Sequence, residues 1–487
     1  MHITDQPAPP SLSHKDITAI VIGIILAMFL SALDQTIIAT AMPTIGKDLG
    51  DADQVSWVAS VYLLTATAVT PLYGKLSDIH GRRSVLLIAI VIFTLGSIAC
   101  GLAPTMLTLI AARAVQGLGG GGLISLAQTI IADIIAPKER GRYQVYIAGV
   151  FVSASLAGPV LGGLFTEYLH WSMIFWINLP LGIVAYGMTS NALTRLPRHE
   201  RPHELDILGT VLMIAATVSL MLALSLGGTR FIWASPQIIV LFLTSAVFWV
   251  LFGLRLAKAR EPLIPVELLA NPTVRNGTLS AFFGMGTYIG LTIYMPQFFE
   301  SVLGLRTVNS GFALIPLMLG TVIGATLSGR VMIHMKHYKR LPIAGLLLAA
   351  VGMVILAVFE SALSLIWVEV IITLVSLGLG TLLPVTTVSI QNAVLPYQMG
   401  TATGTMNFFR SLGSALIVAG FSAILLGGAA VVNGHADHVV LEGDAAVRAF
   451  RQIFSAALVG YLCALWFLIR MEERPLRSGS EPPQTGE

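Results

Sequence analysis

Apolar residues in this chain run in long stretches separated by short polar segments, many of them basic. Crossing a bilayer core takes about twenty apolar residues in helical form. On that window the pattern predicts fourteen helices, over 17–43, 54–74, 84–103, 106–133, 143–165, 171–193, 207–227, 236–256, 276–299, 309–333, 341–360, 364–387, 403–427 and 451–470. The expected fold class is therefore all-α integral membrane, with almost no soluble mass.

Composition agrees with a lipid solvent. Hydrophobic residues make up 55% of the 487 residues and charged residues only 11%, against about 25% charged in globular proteins. A large aqueous core would not remove so many charges; lipid-facing surface does. The net charge of +3 matters less than its placement. Lys and Arg stay on the cytoplasmic side of a membrane protein. With the N-terminus inside, 21 of the 28 fall in cytoplasmic segments, 5 fall outside (Lys47, Arg230, Arg306, Arg448 and Arg451), and Arg113 and Arg410 lie within spans. A wrong span count would scramble this alternation. Both termini are therefore expected in the cytoplasm of a multi-pass inner-membrane protein. The first apolar run is too long for a signal h-region and reads as a retained span. Cys100 and Cys463 both sit in apolar runs and imply neither a disulfide nor a metal site.

The polar ends, 1–14 and 472–487, have the composition of disordered tails. The loop near 428–450 holds His435, Asp437, His438, Glu442 and Asp444, and reads as a solvated loop rather than a metal site. The expected organisation is a bundle over 15–200, two linker helices over 201–260 and a second bundle over 261–471. A faint repeat supports it. Gly74-Lys75 is echoed by Gly329-Arg330, and Met42-Pro43 by Met295-Pro296. Repeated halves with a site at their interface are a common transporter plan.

A charge at mid-membrane costs about 2.5–3.5 kcal/mol and marks function by default. Asp34 is the one carboxylate deep within a span, and Arg113 is the matching buried cation. At about 1.5 Å per residue they share a depth. They are expected to face one polar cavity, where a change in their separation makes Asp34 take up or release a proton. The competing reading is a static ion pair that sets helix register. Arg410 lies close enough to a helix end to snorkel. Among the gating candidates, Gly158, Pro159, Gly162 and Gly163 in span five combine close approach with a bend. In the loop from Gly74 through Asp78 and Gly81 to Arg82 and Arg83, Asp78 is expected to form a latch that breaks when the cytoplasmic side opens. Phosphate-loop, zinc-helix and nucleophile-elbow motifs are absent from the sequence. Neither direct ATP drive nor an enzyme reading has support, no cofactor or metal is called for, and nothing suggests nucleic acid.

These residues resemble the major facilitator superfamily, in its fourteen-helix drug–proton antiporter branch. The resemblance is carried by Leu33 to Pro43, Gly74 to Leu86, Leu109 to Gly117, Gly158 to Gly163, and Gly400 to Gly413. It implies two six-helix bundles around a cavity with two helices between them, and proton-driven export of lipophilic compounds by alternating access. By position Asp34 carries the proton or meets a cationic substrate, Arg113 tunes it, and Gly74, Asp78 and Arg82 form the cytoplasmic gate. The expected cavity wall draws on Gln35, Trp57, Tyr62, Gln116, Tyr288, Tyr294, Phe298, Phe408 and Arg410, with aromatic faces that suit flat cations. A functional monomer is expected, and a periplasmic adaptor partner is compatible with the resemblance. There are departures: Ile79 stands where that loop often has arginine, and His170-Trp171-Ser172-Met173 where an arginine between aromatics is usual. No second deep acid occurs in spans nine to fourteen, which argues against dicationic substrates. Proton-coupled uptake of a metabolite is the main alternative; a channel and a membrane enzyme are weaker ones.

Overall fold

The computed structural model describes residues 14–51, 54–195, 205–335, 337–359, 362–433 and 443–476. Residues 1–13 and 477–487 of the expected tails, Arg198, Arg201 and Lys336 in the basic segments, and His435, Asp437, His438 and Glu442 lie outside the described residues. Within them the fold is helical, with a single isolated bridge between Gly227 and Phe231.

Fourteen long helices follow one another: α1 (His14–Leu49), α2 (Ser56–His80), α3 (Arg82–Gly101), α4 (Met106–Ile134), α5 (Pro137–Tyr168), α6 (Asn178–Ala192), α7 (Ile207–Leu226), α8 (Pro236–Lys258), α9 (Pro272–Ser301), α10 (Ile315–His334), α11 (Arg340–Phe359), α12 (Leu365–Asn392), α13 (Met399–Asn433) and α14 (Asp444–Arg470). Local chemistry sets several boundaries. Thr105 and Thr108 form a reciprocal cap at the start of α4. Ser235 and Asn271 cap α8 and α9 just before a proline, which loses nothing at the first helical position. Gly81 alone turns the chain between α2 and α3, at φ +85°, a conformation a side chain would strain.

Twelve of these helices are long and apolar enough to cross a membrane. The expectation was fourteen; α2 and α9 have the length but are more polar. The reason is visible in their placement. Both run through the interior of the bundle, where Thr67 and Thr70 of α2 and Thr278, Ser280 and Thr287 of α9 are buried against protein instead of lipid.

Two groups of helices each carry their own core. In one, Ile24, Met28, Leu86, Phe93, Leu126 and Ile130 pack together, drawn from α1, α3 and α4. In the other, Phe298, Leu346, Met353, Leu379, Phe454 and Tyr461 pack together, drawn from α9, α11, α12 and α14. Glycines permit the tightest contacts in the first group: a Cβ on Gly117 would stand 2.6 Å from the Tyr62 carbonyl oxygen, and one on Gly119 2.7 Å from that of Ala89. The helix pair α7–α8 sits beside the seam. Met213 and Phe252 join a cluster with Ala132 of α4 and Met399 and Met406 of α13. Asp206 caps α7 and accepts from Arg255 Nε of α8 at 3.0 Å, which ties the pair at one end.

That end, where Lys75, Arg82, Arg140 and Arg330 lie, is the basic end of the bundle. Here Lys339 donates to the carbonyls of Ile469 and Met471 that finish α14, a favourable place for a cation. Partial burial lowers its pKa, and Glu473 opposes the shift.

Candidate functional site

Four helices bring their buried polar residues to one point. Arg113 Nη1 of α4 donates to Asp34 Oδ2 of α1 at 2.6 Å. The other carboxylate oxygen, Oδ1, accepts from Gln116 Nε2 at 2.8 Å and from Asn178 Nδ2 at 3.0 Å. Arg113 also donates to Gln116 Oε1 at 2.7 Å and to the Val58 carbonyl at 2.9 Å. Asn178 Nδ2 reaches Ser97 Oγ of α3 at 3.0 Å. The guanidinium lies 4.3 Å over the Tyr62 ring and 5.8 Å from that of Phe175. Asp34 and Arg113 are each 1% exposed. The pair is thus buried, hydrogen-bonded through both carboxylate oxygens and through Nε and Nη1 of the guanidinium, and held between aromatic faces, conditions under which a buried ion pair can repay its desolvation.

The cavity lies beside this cluster. Its volume is about 620 Å³, and both helix groups line it. Ser31, Gln35, Tyr62, Thr67, Gln128, Gln144 and Phe151 come from one side, and Tyr288, Met318, Thr321, Thr387, Asn407 and Arg410 from the other. Asp34 and Arg113 are not on its wall, contrary to the expectation that they face it. Tyr62 stands between: its hydroxyl pairs with Ser31 Oγ at 3.1 Å on the cavity side while its ring underlies Arg113.

Of the expected wall residues, Gln35, Tyr62, Tyr288 and Arg410 line the cavity. Gln116 instead completes the Asp34 cluster. Trp57, partly buried near the start of α2, is off the wall. Tyr294 packs 6.2 Å from Phe421, and Phe408 packs 6.2 Å from Trp249 of α8 and 5.3 Å from Phe409. Phe298 is fully buried between Phe450 and Phe454, at 5.3 and 5.2 Å. Tyr294, Phe408 and Phe298 fill helix contacts because the sequence states a side chain's depth but not its direction around the helix. Phe298→Ala should therefore destabilise the fold by about 3–5 kcal/mol, the loss typical of a core phenylalanine, lowering the thermal midpoint while leaving the substrate profile alone. A changed profile with an unchanged melting curve would return Phe298 to the wall.

At the basic end the two groups touch. Asp78 of α2 accepts from the backbone N–H groups of Gly400 and Thr401 at 3.0 and 2.7 Å, from Thr401 Oγ1 at 2.6 Å, and from Arg82. It thereby satisfies free donors in the first turn of α13. Arg82 bridges on to Asp133 Oδ2 of α4 at 2.7 Å and to Ser77 Oγ at 2.7 Å. The expectation gave Asp78 its place at this latch, but not the α13 donors or Asp133. Arg83 instead donates to the Ser190 carbonyl at 3.0 Å, tying α3 to α6.

Glycines make the approach possible. A Cβ on Gly400 would stand 2.5 Å from the Gly74 carbonyl oxygen, and one on Gly141 of α5 would stand 3.0 Å from that of Gly329 of α10. The sequence repeat of Gly74 and Gly329 thus recurs in space: the second helix of each group meets the fifth helix of the other. In α2, α5, α10 and α13 these contacts lie on the basic-end side of the cavity residues, so the cavity is closed at that end. The charged latch has no twin: residues 78 and 82 correspond, at the repeat's offset, to Ile333 and His337.

Gly158 and Gly162 bring α5 onto α1, where Cβ atoms would stand 2.9 Å from Ile37 N and 2.6 Å from its carbonyl oxygen. Pro159 and Gly163 face away; Pro159 is exposed, and a Cβ on Gly163 would meet nothing within 4 Å. Of this motif, the two inward glycines make the expected close approach, one turn from Asp34, while Pro159 lies inside α5 with its ring turned outward.

A family model described as Major Facilitator Superfamily matches residues 24–418. Multidrug resistance protein 3 of Bacillus subtilis is 35% identical over 405 residues, 83% of this chain and 79% of that one. The multidrug transporter protein MdtP of the same organism is 34% identical over 425 residues, 87% of this chain and 77% of that one. Among solved structures, the human organic anion transporter MFSD10 aligns with a TM-score of 0.68 at 17% identity, over 94% of this chain and all (100%) of that one. The proton:xylose symporter XylE aligns at 0.65 and 15% identity, over 96% and 98%. At such identities these two speak for the fold alone. With its paired helix groups, its shared cavity and this match, the chain belongs to the major facilitator superfamily and is a multi-pass membrane transporter, not an enzyme.

Proposed function

We propose that this protein is a secondary exporter of lipophilic, drug-like compounds, working by alternating access and driven by protons that Asp34 binds and releases. The observation that carries the reading is a largely apolar cavity of about 620 Å³ between two helix groups, shut at one end by glycine contacts and a hydrogen-bonded latch. Such contacts can part without unfolding either core. The names of the two Bacillus relatives support drug efflux as the direction and substrate class. The Lys and Arg alternation supports placing the basic end and both termini in the cytoplasm, with all fourteen long helices crossing the membrane. On that placement the present form is closed to the cytoplasm. The six helices on each side of the α7–α8 pair then move as rigid units, and the protein acts as a monomer.

Asp34 suits coupling because three donors converge on it from α4 and α6. A shift of α1 against α4 would remove donors from the carboxylate and let a proton take their place. Tyr62 and Ser31 are the nearest groups between it and the cavity.

Efflux from proteoliposomes tests the reading. With a panel of lipophilic dyes and antibiotics, an imposed pH gradient should accelerate export of several chemically unrelated members, and collapsing the gradient should return each to the passive rate. Gradient-driven uptake of a single metabolite, with no effect on the panel, would overturn it.

A further inference from the structure

We propose that Arg410 is an anion-receiving subsite of the central cavity, which selects lipophilic weak acids carrying a carboxylate from among the compounds the protein moves. This rests on the export reading and adds a substrate class to it. Among the described residues that line the cavity, Arg410 is the only one with a formal charge, and none is an Asp or Glu. The acid expected to attract a cationic substrate, Asp34, lies behind Tyr62 and is taken up by Arg113.

Three arginines of the bundle can be compared. Arg113 has a carboxylate, an amide and a carbonyl at 2.6–2.9 Å. Arg82 has Asp78 and Asp133. Arg410 has only neutral partners, all distant: Asn407 Oδ1 and Thr387 Oγ1 at 3.3 Å and Met406 Sδ at 3.8 Å. Its Nε is buried without a hydrogen-bond partner. Ordinary N–H···O bonds are about 2.9–3.0 Å long. Arg410 does not snorkel to the helix end as expected; it turns to the cavity wall, eleven residues into its helix, and a cation inside a membrane bundle is usually paired. The guanidinium fork matches a carboxylate with two parallel bonds, and the acceptor it lacks from the protein is one a substrate can bring. Apolar neighbours on the wall, among them Met285, Met318 and Val418, suit the rest of such a molecule. The site also reaches the seam, because Asn407, which accepts from Arg410, donates to Gln128 of the other helix group at 2.8 Å.

Binding to the purified protein in lipid nanodiscs tests this without any gradient, using three probes of one skeleton: pyrenebutyrate, pyrenebutanol and pyrenebutylamine, each corrected for empty nanodiscs. The acid should bind about tenfold or more tighter than the alcohol, with the amine weakest. Arg410→Gln should bring the acid-to-alcohol ratio to about one, and Arg410→Lys, a point charge without the fork, should give an intermediate ratio. The proposal is overturned if the wild-type protein ranks the amine or the alcohol first, a result that needs no variant. It is also overturned if Arg410→Gln weakens acid and alcohol in parallel, so that the preference survives. Because the measurement is of binding, acid selectivity without gradient-driven efflux would count against the export reading alone, and efflux without acid selectivity against this one alone.

Discussion

Valine at residue 74 should abolish transport and leave the protein folded, with its cavity opened toward the basic end. Gly74 and Gly400 are in backbone contact, and a side chain on either overlaps the carbonyl of the other. The overlap is with main chain, which cannot rotate aside, so α2 and α13 must separate. Neither core cluster includes this contact, so the loss is confined to the form closed at the basic end. Asp78→Asn should act in the same direction more mildly. Hydrogen bonds to a charged group contribute about 1.5–3 kcal/mol each, and Asp78 makes its bonds to Gly400 and Thr401 only while the two helices are together. Losing one such bond shifts the balance of forms by about tenfold or more. A cysteine at Gln144, on the cavity wall of α5, reports the shift in a Cys463→Ser background. Maleimide applied from the basic side should label it slowly in the parent and fast in Gly74→Val and Gly400→Val. Wild-type transport in Gly74→Val, or equal labelling in all three proteins, would remove the latch from the cycle.

Asp34→Asn should abolish gradient-driven transport while substrate still binds. The amide fills the same space, so the wall formed by Ser31, Gln35 and Tyr62 is retained, but it cannot cycle a proton. It also leaves Arg113 buried without its counter-charge, and breaking one side of a buried pair costs about 3–5 kcal/mol. A fall in thermal midpoint is therefore expected and must be separated from the coupling defect. The double variant Asp34→Asn, Arg113→Gln removes both charges. It should recover much of the lost stability and none of the proton dependence. If the double variant recovered gradient-driven transport as well, the pair would be a strut that fixes helix register. Persistence of coupling in Asp34→Asn would exclude Asp34 as the proton site.

The sequence was informative about depth and poor on direction. Asp34 and Arg113 were legible as partners because their distances from their span ends coincide, and the structure joins them at 2.6 Å. Gln128 and Asn178 are polar residues inside apolar runs, a signal that marks them in the sequence, whereas Asn407 stands in a stretch already rich in Thr, Gly and Ser and carries no such mark. Gln116, Phe298 and Phe408 were assigned to the cavity and lie elsewhere. In an aqueous protein the polar face of a helix announces which way it is turned. In a bundle surrounded by lipid, apolar residues serve on both the inner and the outer surface, so periodicity carries little of that information.

By itself the amino-acid sequence determined that the chain is a membrane bundle, the order and approximate place of its long helices, and which few groups cost too much to bury without a purpose; their ends it placed up to six or seven residues off, as at Leu49, His80 and Pro137. Desolvation settles these matters residue by residue, whatever the neighbours. Only the tertiary structure decided that Asp34 lies behind the cavity and not on its wall, that Asp78 serves as a cap for a helix 322 positions further on, and that Arg410 is the one charged residue among the described residues lining the cavity. Each depends on the rotation of one helix against another, which is set by glycine-to-backbone contact and interdigitated side chains, and neither is written in the local run of residues.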